Sequence, residues 1–249
     1  MPDIKPQVYK DERPAEFFEK FHERARNRRP GYMYTLVRTV VTPIALFLYR
    51  TRAIATQNIP RTGPVLLVPN HFSQMDHFFA GIYTWRKLRI MAKSQLFGPP
   101  VLTWIFFHGG IFPVRRGVRD EEAFETVRTI FDQGGAVMVY AEGGRSRTSD
   151  LGEPRPGVGR MALESGIPVV PVAIFGSAGV RKWRKFRFPS VTVQYGRPLQ
   201  FEIEEGTTRE RQLEVSNAIF DRVKEMYYEL GEKGREGVVA RLEAEGEPY

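Results

Sequence analysis

From Ile54 onward, short apolar runs alternate with longer stretches in which apolar positions recur at helical spacing. The runs 65–68, 88–92, 110–114, 136–140, 168–174 and 191–195 predict strands, and 75–85, 120–133 and 157–164 predict helices between them. Strands this short and this uniformly apolar are covered on both faces. The pattern therefore predicts an α/β fold with a largely parallel central sheet flanked by helices. Beyond Gly196, the residues Leu213, Ile219, Val223, Met226, Tyr227 and Leu230 keep helical intervals and predict a helix packed on the sheet. Residues 232–249 are highly charged and predict a solvated helix or a frayed tail.

The N-terminal pattern is different. Residues 14–29 place Phe17, Phe18 and Phe21 on one side of a short helix, with Arg24, Arg26, Arg28 and Arg29 on the opposite face and at its end. After Pro30-Gly31, residues 32–50 are mostly apolar but are interrupted by Arg38 and Pro43 and closed by Arg50 and Arg52. A spanning helix needs about 20 predominantly apolar residues, more than this stretch offers. Two consecutive helices dipping into one leaflet fit the pattern, with arginines at the headgroups and tyrosines at the interface. The alternative is that the second helix packs on the protein's own core. The organisation is thus an appendage over residues 1–52, an α/β domain over 53–231 and a charged end over 232–249.

Charge and composition narrow the partners. The net charge of +8 over 249 residues is unevenly placed. Residues 1–62 carry 12 Lys/Arg against 6 Asp/Glu, residues 63–200 carry 18 against 10, and residues 201–249 carry 7 against 13. A basic body suits an anionic partner: a membrane surface, a phosphorylated substrate or a nucleic acid. The absence of cysteine excludes disulfides, thiolate catalysis and cysteine-ligated zinc, and is compatible with a reducing compartment. The first thirty residues are charged and lack the apolar core of a cleaved signal peptide.

The chemistry gathers at Asn70-His71-Phe72-Ser73-Gln74-Met75-Asp76. On one continuous helix, at about 100° per residue, His71 and Asp76 would sit about 140° apart and could not easily meet. The helix must begin between them, after Pro69 ends the preceding strand, with Asn70 or Ser73 as an N-cap type of residue. Asp76 can then accept from one imidazole nitrogen, fix the tautomer and leave the other nitrogen as a base.

His71 and Asp76 match the His-x4-Asp signature, and at these residues the chain resembles the glycerolipid acyltransferase family, which includes the 1-acylglycerol-3-phosphate acyltransferases. Three further blocks follow in the order of that family: Gly110 to Arg115, Glu142-Gly143-Gly144-Arg145-Ser146, and Ile167 to Val172. The resemblance implies transfer of a fatty acyl group from a thioester donor, acyl-CoA or acyl-carrier protein, to the sn-2 hydroxyl of 1-acyl-glycerol-3-phosphate, as in phospholipid biosynthesis. It implies no cofactor and no metal. His71 would be the base and Asp76 its orienter, with Lys93, Arg115, Glu142, Gly143 and Arg145 holding the acceptor and its phosphate. Gly144 stands where that family often has Thr, which removes a hydroxyl contact and leaves the phosphate role of Arg145.

The resemblance also implies a peripheral position on the cytoplasmic face of a membrane, held by the N-terminal helices. Cutting the chain at about residue 52 is then expected to abolish membrane association. Residues 181–187 interleave cations with aromatics, a pattern for anionic headgroups or an acyl donor rather than nucleic acid once the resemblance is considered. Glycerol-3-phosphate or a lipid-linked hydroxyl are alternative acceptors. A metal-dependent hydrolase using His71, Asp76 and His77, and a non-enzymatic basic lipid-binding protein, are the rival classes. The latter gives no reason for His71 and Asp76.

Overall fold

A computed structural model describes residues 11–118, 120–146, 148, 150–180, 188–247 and 249. Seven strands form one sheet: β1 (Arg52–Ile54), β2 (Val65–Pro69), β3 (Leu88–Lys93), β4 (Ile111–Val114), β5 (Ala136–Met138), β6 (Val169–Phe175) and β7 (Thr192–Tyr195). Their spatial order is β1-β7-β6-β2-β5-β3-β4. Every neighbouring pair runs parallel except β6 with β7, so the sheet is largely parallel as the apolar runs predict. Central strand β2 shows why its run has no polar position. Leu66 and Val68 enter a core on one face, Val65 and Leu67 a core on the other, and all four are fully buried. Alternate residues of a strand point to opposite faces, so burial on both sides removes the alternation.

Helices α1 (Glu16–Asn27), α2 (Tyr32–Pro43, continued by a wider-wound turn over Ile44–Leu48), α3 (Asp76–Gly81), α4 (Pro100–Gly109), α5 (Glu121–Asp132), α6 (Pro156–Ser165) and α7 (Arg209–Ala244) complete the chain. The face carrying Leu66 and Val68 is covered by α5, α6 and the first half of α7, through Val127, Ile130, Met161, Ala162, Ile219 and Val223. On the other face Phe79 and Ala80 of α3 pack against Leu67, Met138 and Val172. The buried Tyr195 hydroxyl donates to the Ala80 carbonyl at 2.6 Å, tying α3 to the sheet.

Two elements that the pattern did not announce are β1 and α4. Strand β1 has three residues and opens on an arginine. Helix α4 is apolar almost all round, which leaves no polar face to mark a period. Helix α3 stops at Gly81, short of the expected residue 85, and the Thr84 hydroxyl donates back to the Gly81 carbonyl at 2.9 Å.

The charged end continues α7 as a largely exposed helix with two residues turned inward. Gly234 lies inside α7 at φ 65°, a conformation that glycine adopts freely, and the chain bends there. The bend returns Val238 and Leu242 to a core with Leu230, Ile54 and Ala173, and lets Arg241 donate to Glu229 at 2.6 Å.

The N-terminal helices divide in their behaviour. Phe18 and Phe21 of α1 are 1% and 2% exposed and pack with Phe97 and Phe107, while buried His22 meets the Thr126 hydroxyl at 2.9 Å. The aromatic face of α1 is therefore covered by the domain, where the expectation turned it toward a leaflet. Helix α2 leaves Leu36, Val40, Ile44 and Phe47 exposed, Phe47 to 82%. Among the described residues no single helix is long and apolar enough to cross a membrane, and α1 meets the α2 segment at an 86° bend.

Candidate active site

Parallel strands share one carboxyl edge, and in such sheets the crevice beyond that edge collects the polar chemistry. Here β4, β3, β5 and β2 are consecutive neighbours, so the residues that follow them converge.

His71 stands in the turn between β2 and α3. Its Nδ1 lies 2.9 Å from Asp76 Oδ2. The same oxygen accepts the backbone N–H groups of Phe72 and Ser73, each at 2.7 Å. Asp76 is fully buried, so three donors in a desolvated place lock the turn around its carboxylate. The helix does begin between the two residues, at Asp76 itself, but neither Asn70 nor Ser73 caps it. Asn70 instead exchanges two hydrogen bonds with the backbone of Ile174, pinning the end of β2 to β6. The Ser73 hydroxyl accepts from Met75 N–H.

With Nδ1–H directed at Asp76, Nε2 is left as the basic nitrogen. The His71 side chain is 15% exposed. Burial lowers its pKa below 6.5, Asp76 opposes that shift, and the positive charges of Arg145 and Arg116 add to it. The net effect keeps the ring neutral, and able to take a proton, at neutral pH. One face of the ring is covered by Tyr140, stacked with centroids 3.8 Å apart and planes 18° apart. Neighbouring His77 is also held neutral, its pKa lowered to about 4 by burial, and its ring meets Phe78. Among the described residues no group of three His, Asp or Glu side chains is placed to hold a metal ion.

The loop after β5 braces the same turn. Glu142 accepts the His71 N–H at 2.7 Å through one oxygen and the Gly152 N–H at 2.8 Å through the other, while Ser146 N–H donates to the His71 carbonyl at 2.8 Å. Gly143, at φ 64°, makes the reversal that turns Glu142 back toward β2.

The basic residues sort differently from their order in the sequence. Lys93, the last residue of β3, has its pKa lowered by burial and by the charges of Arg116 and Arg145. The positive charges of these same two arginines also act on His71. Arg115 pairs with Asp120. Its backbone N–H and guanidinium both reach Asp120, at 2.6 and 3.5 Å, which steadies the approach to α5. Arg116, two residues beyond β4, is a neighbouring basic residue whose charge reaches both His71 and Lys93. Residues 181–187 lie outside the described residues.

Residues 50–175, half of the chain, match the family described as Acyltransferase. The chain belongs to that family. A probable 1-acyl-sn-glycerol-3-phosphate acyltransferase of Mycoplasma genitalium is 33% identical over 122 residues, covering 47% of this chain and 46% of the relative. A 1-acyl-sn-glycerol-3-phosphate acyltransferase of Borreliella burgdorferi is 30% identical over 139 residues, covering 54% and 55%. The chain thus spans about half the length of these curated relatives. The crystal structure of the 1-acyl-sn-glycerophosphate acyltransferase of Thermotoga maritima superposes over 86% of this chain and 87% of that one, with a TM-score of 0.62 and 22% identity, and so shares the fold. The match begins just before β1 and ends with β6, so it holds the His71 turn and Lys93, Arg116 and Arg145.

Proposed function

We propose that this acyltransferase moves a fatty acyl group from a thioester to the sn-2 hydroxyl of 1-acyl-glycerol-3-phosphate, giving phosphatidic acid. The observation that carries the reading is the His71–Asp76 pair in the turn after β2, with Lys93 ending β3 and the charges of Arg116 and Arg145 acting on both His71 and Lys93. The names of the relatives favour the same acceptor. His71 Nε2 takes the proton of the acceptor hydroxyl as its oxygen bonds to the thioester carbonyl carbon. The tetrahedral intermediate then breaks its carbon–sulfur bond, and the imidazolium returns the proton to the departing thiolate. Asp76 stabilises the imidazolium between the two steps. The three cations hold the acceptor phosphate, which turns an encounter into a fixed approach. Glu142 and Gly143 serve that approach through the backbone of the His71 turn, and Arg115 through its grip on Asp120.

The donor, acyl-CoA or acyl-carrier protein, comes from the cytoplasm, and the protein sits peripherally on that face of a membrane with the exposed side of α2 toward the lipid. Truncation at residue 52 is a poor test of this, because it would also remove Phe18 and Phe21 from the core. Val40→Ser with Phe47→Ser alters only the exposed side, and is expected to abolish vesicle binding in a flotation assay.

Activity is tested with both donors against 1-acyl-glycerol-3-phosphate, glycerol-3-phosphate and a non-phosphorylated lipid alcohol. General-base catalysis typically contributes about 10² to 10⁴ in rate, so His71→Ala is expected to lose at least about 10² while keeping its thermal midpoint. Transfer that persists in the variant at the native rate would remove His71 as the base.

A further inference from the structure

On the side of α2 next to its exposed apolar residues lies an open groove of about 530 Å³, walled by Thr35, Arg38 and Thr39 of the helix and by Trp85 and Lys87 of the segment leading into β3. None of its lining residues belongs to the His71 turn. Arg38 donates through one nitrogen to the carbonyls of Ile82 and Thr84, and Lys87 donates to those of Pro30 and Gly31. Carbonyls orient these cations but do not neutralise them. Trp85 is 76% exposed at the rim.

Among the described residues, none that lines the groove is acidic. Between residues 24 and 119 the sequence holds 15 Lys/Arg and a single acid, Asp76, which is buried with His71. Two oriented, unneutralised cations in a groove therefore adjoin a ridge formed by Leu36, Val40 and Phe47, with an indole at the boundary. Tryptophan at such a boundary favours the headgroup level of a bilayer, and basic side chains there attract anionic lipid.

We propose that this groove binds the phosphate-bearing headgroup of an anionic phospholipid in the bilayer, with Arg38 and Lys87 on the phosphate and Trp85 beside it, so that α2 is seated by a specific lipid contact as well as by apolar burial. The proposal rests on the membrane docking of α2. Arg38 also has a structural role, so two kinds of variant are needed. Arg38→Gln with Lys87→Gln removes the charges, and Thr39→Glu places a carboxylate in the groove from an exposed position that holds nothing else, with Thr39→Gln as its neutral control.

The experiment is flotation of the full chain with vesicles of phosphatidylcholine, and with vesicles in which about a third of the lipid is phosphatidylglycerol. The native chain is expected to bind both, and the anionic ones more tightly. At about fivefold per basic residue near such a surface, the double variant should lose about 25-fold on anionic vesicles and keep its affinity for neutral ones. Thr39→Glu should lose the same preference and Thr39→Gln should retain it. An anionic preference that survives in both charge variants overturns the groove while leaving the docking of α2 standing. A native chain that binds neither vesicle overturns the docking reading, and the groove with it.

Discussion

At the scale of single residues, the site is a turn closed around one carboxylate oxygen. Asp76 raises the proton affinity of an imidazole that burial lowers. Asp76→Asn removes the opposing influence, so the His71 pKa falls further and the acid limb of the pH–rate profile, already expected below pH 6.5, moves to still lower pH. The rate on the plateau is expected to fall by at least about 10² because the tautomer and the imidazolium both lose their partner. An unchanged plateau would separate Asp76 from the chemistry. Tyr140 acts on the same ring from the side. Among the described residues its buried hydroxyl has no hydrogen-bond partner, and its contact with His71 is the stacked ring. Tyr140→Phe is expected to keep kcat, and Tyr140→Leu to lower kcat by about tenfold with KM unchanged, the cost of freeing one ring rotation in a near-attack geometry. His71 and Asp76 were legible as a pair because their spacing is incompatible with a single helix. The stacking was not legible, since nothing between positions 71 and 140 says which strands are neighbours.

At the scale of elements, what the apolar pattern reveals depends on how many faces an element buries. Strands β2, β5 and β6 are buried on two sides and stand out as runs, and α5 and α6 are buried on one side and stand out as periods. Helix α4 has neither signature, and β1 is too short for one. Helices α1 and α2 read alike in sequence, yet only α1 finds a protein surface for its aromatics, because which apolar face is covered is decided by the fold around it. Helix α6 crosses α7 at Gly159, whose N–H donates to Ser216 Oγ at 2.8 Å and where an added Cβ would overlap the Gln212 carbonyl. Gly159→Ala is therefore expected to cost about 1–3 kcal/mol or more in urea unfolding, with no change in the pH dependence of activity. A variant as stable as the native chain would mean that these helices have room to part.

At the scale of the whole molecule, one arrangement serves two surfaces. Four parallel neighbours carry His71, Lys93, Arg116 and Arg145 to a single edge, while an almost acid-free stretch of chain surrounds α2. The basic body thus includes cations whose charges act on the His71 turn and others that line a groove beside the apolar ridge, a distinction that net charge alone does not contain. The central claim is that the crevice recognises a phosphorylated alcohol and hands its hydroxyl to His71. The most direct measurement compares kcat/KM for 1-acyl-glycerol-3-phosphate with that for the same lipid lacking its phosphate, in the native chain and in Arg116→Gln. Charge-assisted contacts contribute about 1.5–3 kcal/mol each, so the native chain is expected to prefer the phosphorylated acceptor by at least about 10², and the variant to lose about tenfold or more of that preference. Equal rates on the two acceptors would contradict the account.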